Sequence, residues 1–227
     1  DVGGESTRPG ALPVSATEEI ERVAPVIEAL RQSVDVIVSV DTSKTEVMAS
    51  ALQAGVHMIN DVLALRATDA LATVGQSAAA VCLMHMLGEP RTMQKAPVYN
   101  HVVEDVITFL HARLQACEEI GIARDRICID PGFGFGKTLA HNLALFRNLE
   151  EFQELGCPVV VGVSRKTMIG QVLGKEVPQR LYGSISLAGL AVWLGAAIIR
   201  CHDVEATRDA VAVVEAVRRG GLPARDG

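Results

Sequence analysis

The 227-residue chain has no apolar run of the roughly 18 residues that a membrane-crossing helix needs. The longest stretch, Ile185 to Ile199, is interrupted by Ser186, Gly189 and Gly195 and reads as a buried helix running into a buried strand. Basic residues are scattered and the net charge is −6. With no basic stripe and no interleaving of basic and aromatic residues, neither a membrane nor a nucleic acid is an expected partner. The cysteines Cys82, Cys117, Cys128, Cys157 and Cys201 lack CxxC or metal-type spacing. Several stand in apolar strands, where a thiol packs as a small hydrophobe, and a reducing, cytoplasmic setting suits them best. No segment is low in complexity, and no shift of composition marks a domain boundary. The chain also has no initiating Met and no signal peptide. It opens at Asp1 inside a motif, so the expectation is a single domain over residues 1–227, truncated at its N-terminus.

What the chain does have is 49% apolar residues, arranged as seven short runs that each stop at a polar group. The stops are Asp1, Asp41, Asn60–Asp61, Met84–His85, Asp130, Ser164–Lys166 and Arg200–His202. Segments of helical periodicity lie between them. Ser15 and Glu18 form a capping-box pair opening a helix to about Gln32, and Ser43 with Glu46 starts the next. Val34 to Val40 is continuous and β-branched, as in a strand buried on both faces. Further helices are expected over about 100–119, 139–155 and 204–219. Strand, polar tip, helix is the rhythm of a parallel α/β fold. Seven such units read as a (β/α)8 TIM barrel lacking its first β/α unit. In such barrels the carboxyl ends of the strands form one face, and that face holds the chemistry.

An aspartate ending a buried strand is costly unless something binds it. Asp41 and Asp130 both follow apolar runs, and Asn60 ends a third. Each could cap the following helix or bond its own loop. Together they also suit a flat heterocycle with an amidine-like donor edge, since a carboxylate accepts two parallel N–H bonds. Lys166 stands where a strand enters a helix, a place that favours anions or ring carbonyls; a solvated lysine is the plain alternative. Arg200 and His202 alternate in strand fashion and could hold a phosphate, or Arg200 could pair with an aspartate while His202 packs. In the loop 3–10, Thr7 and Arg8 are free to reach a ligand, or form a plain surface turn. Residues 130–138 tempt a phosphate-loop reading that fails because Pro131 stands where Gly is required. Its glycines let the backbone turn beside a ligand, with Phe135 as an apolar wall. His101, His111 and His141 read as surface or capping residues, and His85 as a strand-tip residue without a partner.

In seven segments spanning the chain in order, the sequence resembles the dihydropteroate synthase family. They are residues 1–10 (DVGGESTRPG), 39–44 (SVDTSK), 59–62 (INDV), 84–94 (MHMLGEPRTMQ), 130–137 (DPGFGFGK), 162–170 (GVSRKTMIG) and 200–207 (RCHDVEAT). The resemblance implies a (β/α)8 barrel, usually a homodimer, acting in folate biosynthesis and inhibited by sulfonamides. It implies the joining of 6-hydroxymethyl-7,8-dihydropterin pyrophosphate to p-aminobenzoate, with release of pyrophosphate and use of Mg²⁺. It places Asp41, Asn60, Asp130 and Lys166 on the pterin ring, and Arg200 with His202 near the departing pyrophosphate. Thr7, Arg8 and Pro9 fall on a loop over p-aminobenzoate, with Phe135, Lys166 and Ser164 lining its site. Lys166, Arg200 and His202 are thereby the candidate catalytic residues. No residue of this sequence is assigned as a metal ligand, because the family's Mg²⁺-binding asparagine belongs to the first unit. A truncated barrel is expected to be poorly stable and nearly inactive by itself. A methyltetrahydrofolate-binding methyltransferase shares the pterin barrel but should lack the Ser-Arg-Lys and Arg-x-His sets. A non-catalytic pterin-binding protein is the alternative outside the enzymes.

Overall fold

The structure, a computed structural model, describes residues 1–6, 10–88, 93 and 96–221. Seven short parallel strands alternate with helices. In order they are β1 (Val2–Gly3), α1 (Ala16–Ser33), β2 (Ser39–Asp41), α2 (Thr45–Gln53), β3 (Met58–Asp61), α3 (Ala70–Gly75), β4 (Ala80–Met84) and α4 (Val102–Glu119). They continue with β5 (Ile127–Asp130), α5 (Leu139–Arg147), β6 (Val160–Val161), α6 (Thr167–Leu173), α7 (Leu181–Trp193), β7 (Ile198–Ile199) and α8 (Val204–Arg219). Strands β1 to β5 form one sheet in sequence order, and β6 pairs with β7. A single bridge, Ile129 to Val159, joins the two sheets. The barrel is therefore open: β1 pairs only with β2, and β7 only with β6, among the described residues.

Burial explains the elements. On α4, Val106, Leu110, Leu114 and Cys117 recur at helical spacing and are all buried. Each such side chain contributes about 2 kcal/mol by leaving water. Val40, Ile59, Val81, Leu83, Ile127 and Ile129 form the strand side of the same cluster. The Ser15 hydroxyl caps α1 by accepting from the Glu18 N–H at 3.1 Å, but the Glu18 carboxylate turns to Arg22. The expected start of α2 is not as read: Lys44 is its N-cap residue and no side chain caps it. The Lys44 ammonium reaches away to Glu5 and buried Glu19. The strand expected over 34–40 is only Ser39–Asp41, with Val36 and Ile37 exposed. The helix expected over 139–155 divides at Asn148, whose side chain bonds back to the Ala144 carbonyl at 2.8 Å; residues 149–155 continue as 3₁₀.

After β3 the chain turns through two left-handed residues that are not glycine, Ala64 (φ 53°) and Leu65 (φ 56°). Such a conformation persists only where its surroundings hold it. The Asp61 carboxylate accepts from the N–H groups of Leu63 (2.8 Å) and Leu65 (2.6 Å), and Arg113 donates to the carbonyls of Ala64 and Leu65. Burial raises the Asp61 pKa to about 6, against the pull of the two backbone N–H bonds. A raised carboxylate pKa weakens the fold above about pH 6 and relieves it as pH falls towards the unfolded value. Asp61→Asn keeps one acceptor and loses the other, so it is expected to lower stability by about 2 kcal/mol at neutral pH. It should also remove the gain in stability between about pH 6 and 4, read by thermal unfolding across that range. Native-like stability in this variant would mean that the turn is held by other contacts.

Candidate active site

The hub of the strand-end face is Arg200, just past β7, whose N–H still extends the β6 ladder by donating to the Val161 carbonyl. Its Nη2 donates to Asp130 Oδ2 at 3.2 Å and its Nη1 to Asp1 Oδ2 at 3.2 Å, with Asp41 Oδ2 3.9 Å from Nη1. Gly162 makes room for it, since a Cβ there would stand 3.3 Å from Nε. Carboxylates from the β1, β2 and β5 segments thus meet one guanidinium. Burial disfavours the charge on Arg200, but Asp130 and Asp41 outweigh it and raise the pKa further. Burial also raises the pKa of Asp41, opposed by Arg200 and reinforced by Asp61, Glu19 and Asp130.

Asp130 bonds its own loop, one of the readings the sequence left open, and also faces Arg200. Its Oδ1 accepts from the Gly132 N–H at 2.7 Å, and its Oδ2 meets the guanidinium. Asn60 donates through Nδ2 to Asp1 Oδ2 at 3.2 Å, while its Oδ1 is buried and has no partner among the described residues. A buried acceptor without a donor is costly, and among the polar groups of a strand-end face it suits a guest that supplies one.

Lys166 enters from the N-terminus of α6. Its Nζ bonds the Phe133 carbonyl and lies 4.3 Å from the centre of the Phe135 ring, a cation–π contact. Burial lowers its pKa to about 8, opposed by Asp130 and Asp41 and reinforced by Arg200. Phe135 packs with Val62, Met84, Met86 and Met93, which puts an apolar group beside Lys166. Ser164 Oγ lies 2.9 Å from His202 Nδ1 and accepts from the His202 N–H at 3.2 Å. Next to this pair Arg165 holds Asp203 through two bonds of 3.0 and 2.5 Å, locking the loops after β6 and β7 together. His202 is exposed rather than packed, so only half of the plain alternative stands: Arg200 does pair with aspartates.

Asp41, Asn60, Asp130, Lys166 and Arg200 are therefore one cluster, with Phe135, Ser164 and His202 beside it. Thr7, Arg8 and Pro9 lie outside the described residues. Two contacts, one within the cluster and one behind it, escape the sequence reading. Asp1 was seen only as a run's end, and its contacts with Arg200, Asn60 and Ser39 are tertiary. His85 does have a partner, the buried Lys137 ammonium at 2.9 Å, 52 positions away. Among the described residues no three His, Cys, Asp or Glu side chains gather to hold a cation, and the aspartates of the face converge on Arg200 instead. Chemically the cluster offers acceptors to a heterocycle with N–H donors on one side, and cations to an anion on the other.

The profile of the family described as pterin binding enzyme matches residues 1–202. The chain is also 49% identical over 216 residues to the dihydropteroate synthase of Escherichia coli (strain K12), a match spanning 95% of this chain and 77% of that protein. The chain belongs to the dihydropteroate synthase family. Among solved structures of the family it resembles the Yersinia pestis dihydropteroate synthase in complex with a sulfonamide drug, at 47% identity and a TM-score of 0.95, covering 96% of this chain and 80% of that one. It also resembles the Xanthomonas albilineans dihydropteroate synthase with 4-aminobenzoic acid, at 49% identity and a TM-score of 0.91, covering 96% and 78%. The family's α/β barrel architecture is thus the fold of this chain, here with the sheet open between β1 and β7.

Proposed function

We infer that the chain is a dihydropteroate synthase, which condenses 6-hydroxymethyl-7,8-dihydropterin pyrophosphate with p-aminobenzoate to 7,8-dihydropteroate and pyrophosphate in folate biosynthesis. The observation that carries this is the meeting of Asp41, Asn60 and Asp130 with Arg200 and Lys166 at one face. On this reading Asp130, Asp41 and the lone Asn60 Oδ1 accept the N–H edge of the pterin, and Lys166 donates to its ring carbonyl. Arg200 lies against the ring and, with His202 held by Ser164, receives the leaving pyrophosphate. The methylene–oxygen bond breaks with its electron pair going to pyrophosphate, and the ring stabilises the carbocation left behind. The amine nitrogen of p-aminobenzoate then bonds to the methylene carbon and gives up a proton to solvent. No side-chain nucleophile is needed; the protein positions the amine and neutralises the leaving group. Thr7, Arg8, Pro9, Phe135, Ser164 and Lys166 are the residues proposed for the p-aminobenzoate side.

Mg²⁺ is proposed as the metal of the reaction. The described residues do not offer a carboxylate cage for it, so it would arrive largely on the substrate phosphates, as this ion commonly does. When bound it would supply charge neutralisation to the pyrophosphate. A homodimer is proposed from the exposed Leu190 and Trp193 on α7 and Val213 and Val217 on α8, apolar surface of the kind that interfaces cover. A cytoplasmic setting is proposed from the five free cysteines, and no helix among the described residues is long and apolar enough to cross a membrane. Neither a nucleic acid nor a membrane is proposed as a partner.

Pyrophosphate release on mixing both substrates tests the assignment. Binding of the pterin without release would leave only a pterin-binding protein.

A further inference from the structure

None of the steps above uses Lys137, although its side chain is among the most thoroughly buried charges in the chain. Its Nζ lies 2.9 Å from His85 Nδ1 and donates to the carbonyls of Gly132 (2.9 Å), Phe135 (3.0 Å) and His85 (3.4 Å). These acceptors belong to two segments: His85 follows β4, and the others belong to the loop after β5. The same loop supplies the Phe133 carbonyl and the Phe135 ring, both in contact with Lys166. Loop and β4 extension meet backbone to backbone, for a Cβ on Gly132 would stand 1.8 Å from the His85 carbonyl oxygen. The loop's other fastenings are Tyr99, whose hydroxyl donates to the Gly136 carbonyl at 2.8 Å, and Asn142, which accepts from the Gly134 N–H at 2.7 Å. An ammonium buried without a directly bonded carboxylate is expensive. A methionine would fill this space at less cost if packing were its whole purpose.

We propose that Lys137 is a positioning residue: it fastens the 130–138 loop to the end of β4 through His85, and so sets where the Phe133 carbonyl and the Phe135 ring meet Lys166 and the p-aminobenzoate. This rests on the functional reading above. The groups facing Lys137 are His85 from β4, Asp130 from β5 and Lys166 from the start of α6. Burial lowers the Lys137 pKa to about 7, with Asp130 opposing and Lys166 reinforcing. Burial and the Lys137 charge hold His85 down at about 3, so its ring is neutral and Nδ1 accepts from the ammonium. As pH rises through about 7, Lys137 loses one of its three donors and the fastening weakens.

The test uses Lys137→Met, His85→Leu and His85→Asn in the natural polypeptide that carries this sequence, with each substrate varied in turn. Lys137→Met is expected to raise KM for p-aminobenzoate about tenfold while kcat changes less than about threefold. The ratio of its KM to the native KM is expected to narrow between about pH 6 and about pH 8.5, as the native lysine loses its proton. His85→Leu should follow Lys137→Met. His85→Asn, whose Oδ1 stands where Nδ1 was and keeps the acceptor, should stay near native. A native KM in folded Lys137→Met across this range would overturn the proposal. Equal losses in the two His85 variants would do the same, and that pair decides if Lys137→Met does not fold. A native protein that releases no pyrophosphate would sink the functional reading and this proposal with it, an outcome distinct from either of the others.

Discussion

Asp130→Asn is expected to remove measurable pterin binding while leaving a folded protein. The carboxylate is almost wholly buried and divided between two tasks, with Oδ1 on the Gly132 N–H and Oδ2 on Arg200. Asparagine can keep the first bond, so the loop after β5 retains its turn. It then presents an NH₂ group where Arg200 and the donor edge of the heterocycle both require an acceptor. A site built to hydrogen-bond its ligand rejects a mismatch far more strongly than an apolar pocket does, and a loss of at least about a hundredfold in affinity follows. Calorimetric titration with the pterin substrate reads it, and thermal unfolding shows that the fold is intact. Unchanged affinity would mean that the ring sits elsewhere.

Arg200→Gln should have the second large effect, and on two quantities at once. Turnover should fall by about two to three orders of magnitude, the loss usual when a donor to developing negative charge is removed. Stability should fall by about 3 kcal/mol near pH 8, because Asp1, Asp41 and Asp130 lose their common cation. The pH dependence has a definite sign. Arg200 opposes the upward shift of Asp41 caused by burial, so its removal lets that pKa rise further. A folded-state carboxylate pKa above the unfolded value costs stability at high pH and is relieved as pH falls through it. The deficit of the variant should therefore shrink as pH is lowered from 8 into the acidic range in thermal unfolding. A deficit of the same size across that range would show that Arg200 is not neutralising these acids.

The strand ends were legible because a polar group closing an apolar run is a local signal, and Asp41, Asn60, Asp130, Lys166 and Arg200 all stand at such closures. Strand lengths were not legible. Val36 and Ile37 have every intrinsic reason to extend β2, but the ladder with β3 starts at Ser39 opposite Met58, and the Val38 N–H just before it is taken by the His57 ring at 2.9 Å. A β-branched run without ladder partners stays outside the sheet. The division of the 139–155 helix turns on Asn148, whose back-bond to Ala144 competes with the helical ladder in a way hydrophobic spacing does not register. The Lys137–His85 pair joins residues that no periodicity connects. Each looks ordinary in its own segment, and only the approach of the β5 loop to the β4 extension gives them a common purpose.

Close approach of those two segments also limits how this face can be remodelled. A methyl group at Gly132 would run into the carbonyl of His85, and one at Gly136 would come within 2.5 Å of that of Leu87. Both glycines adopt left-handed angles as well, so substitution meets a steric and a torsional barrier together. Evolution of this face therefore finds the loop closed to main-chain change at both glycines, and has to work through the side chains around them.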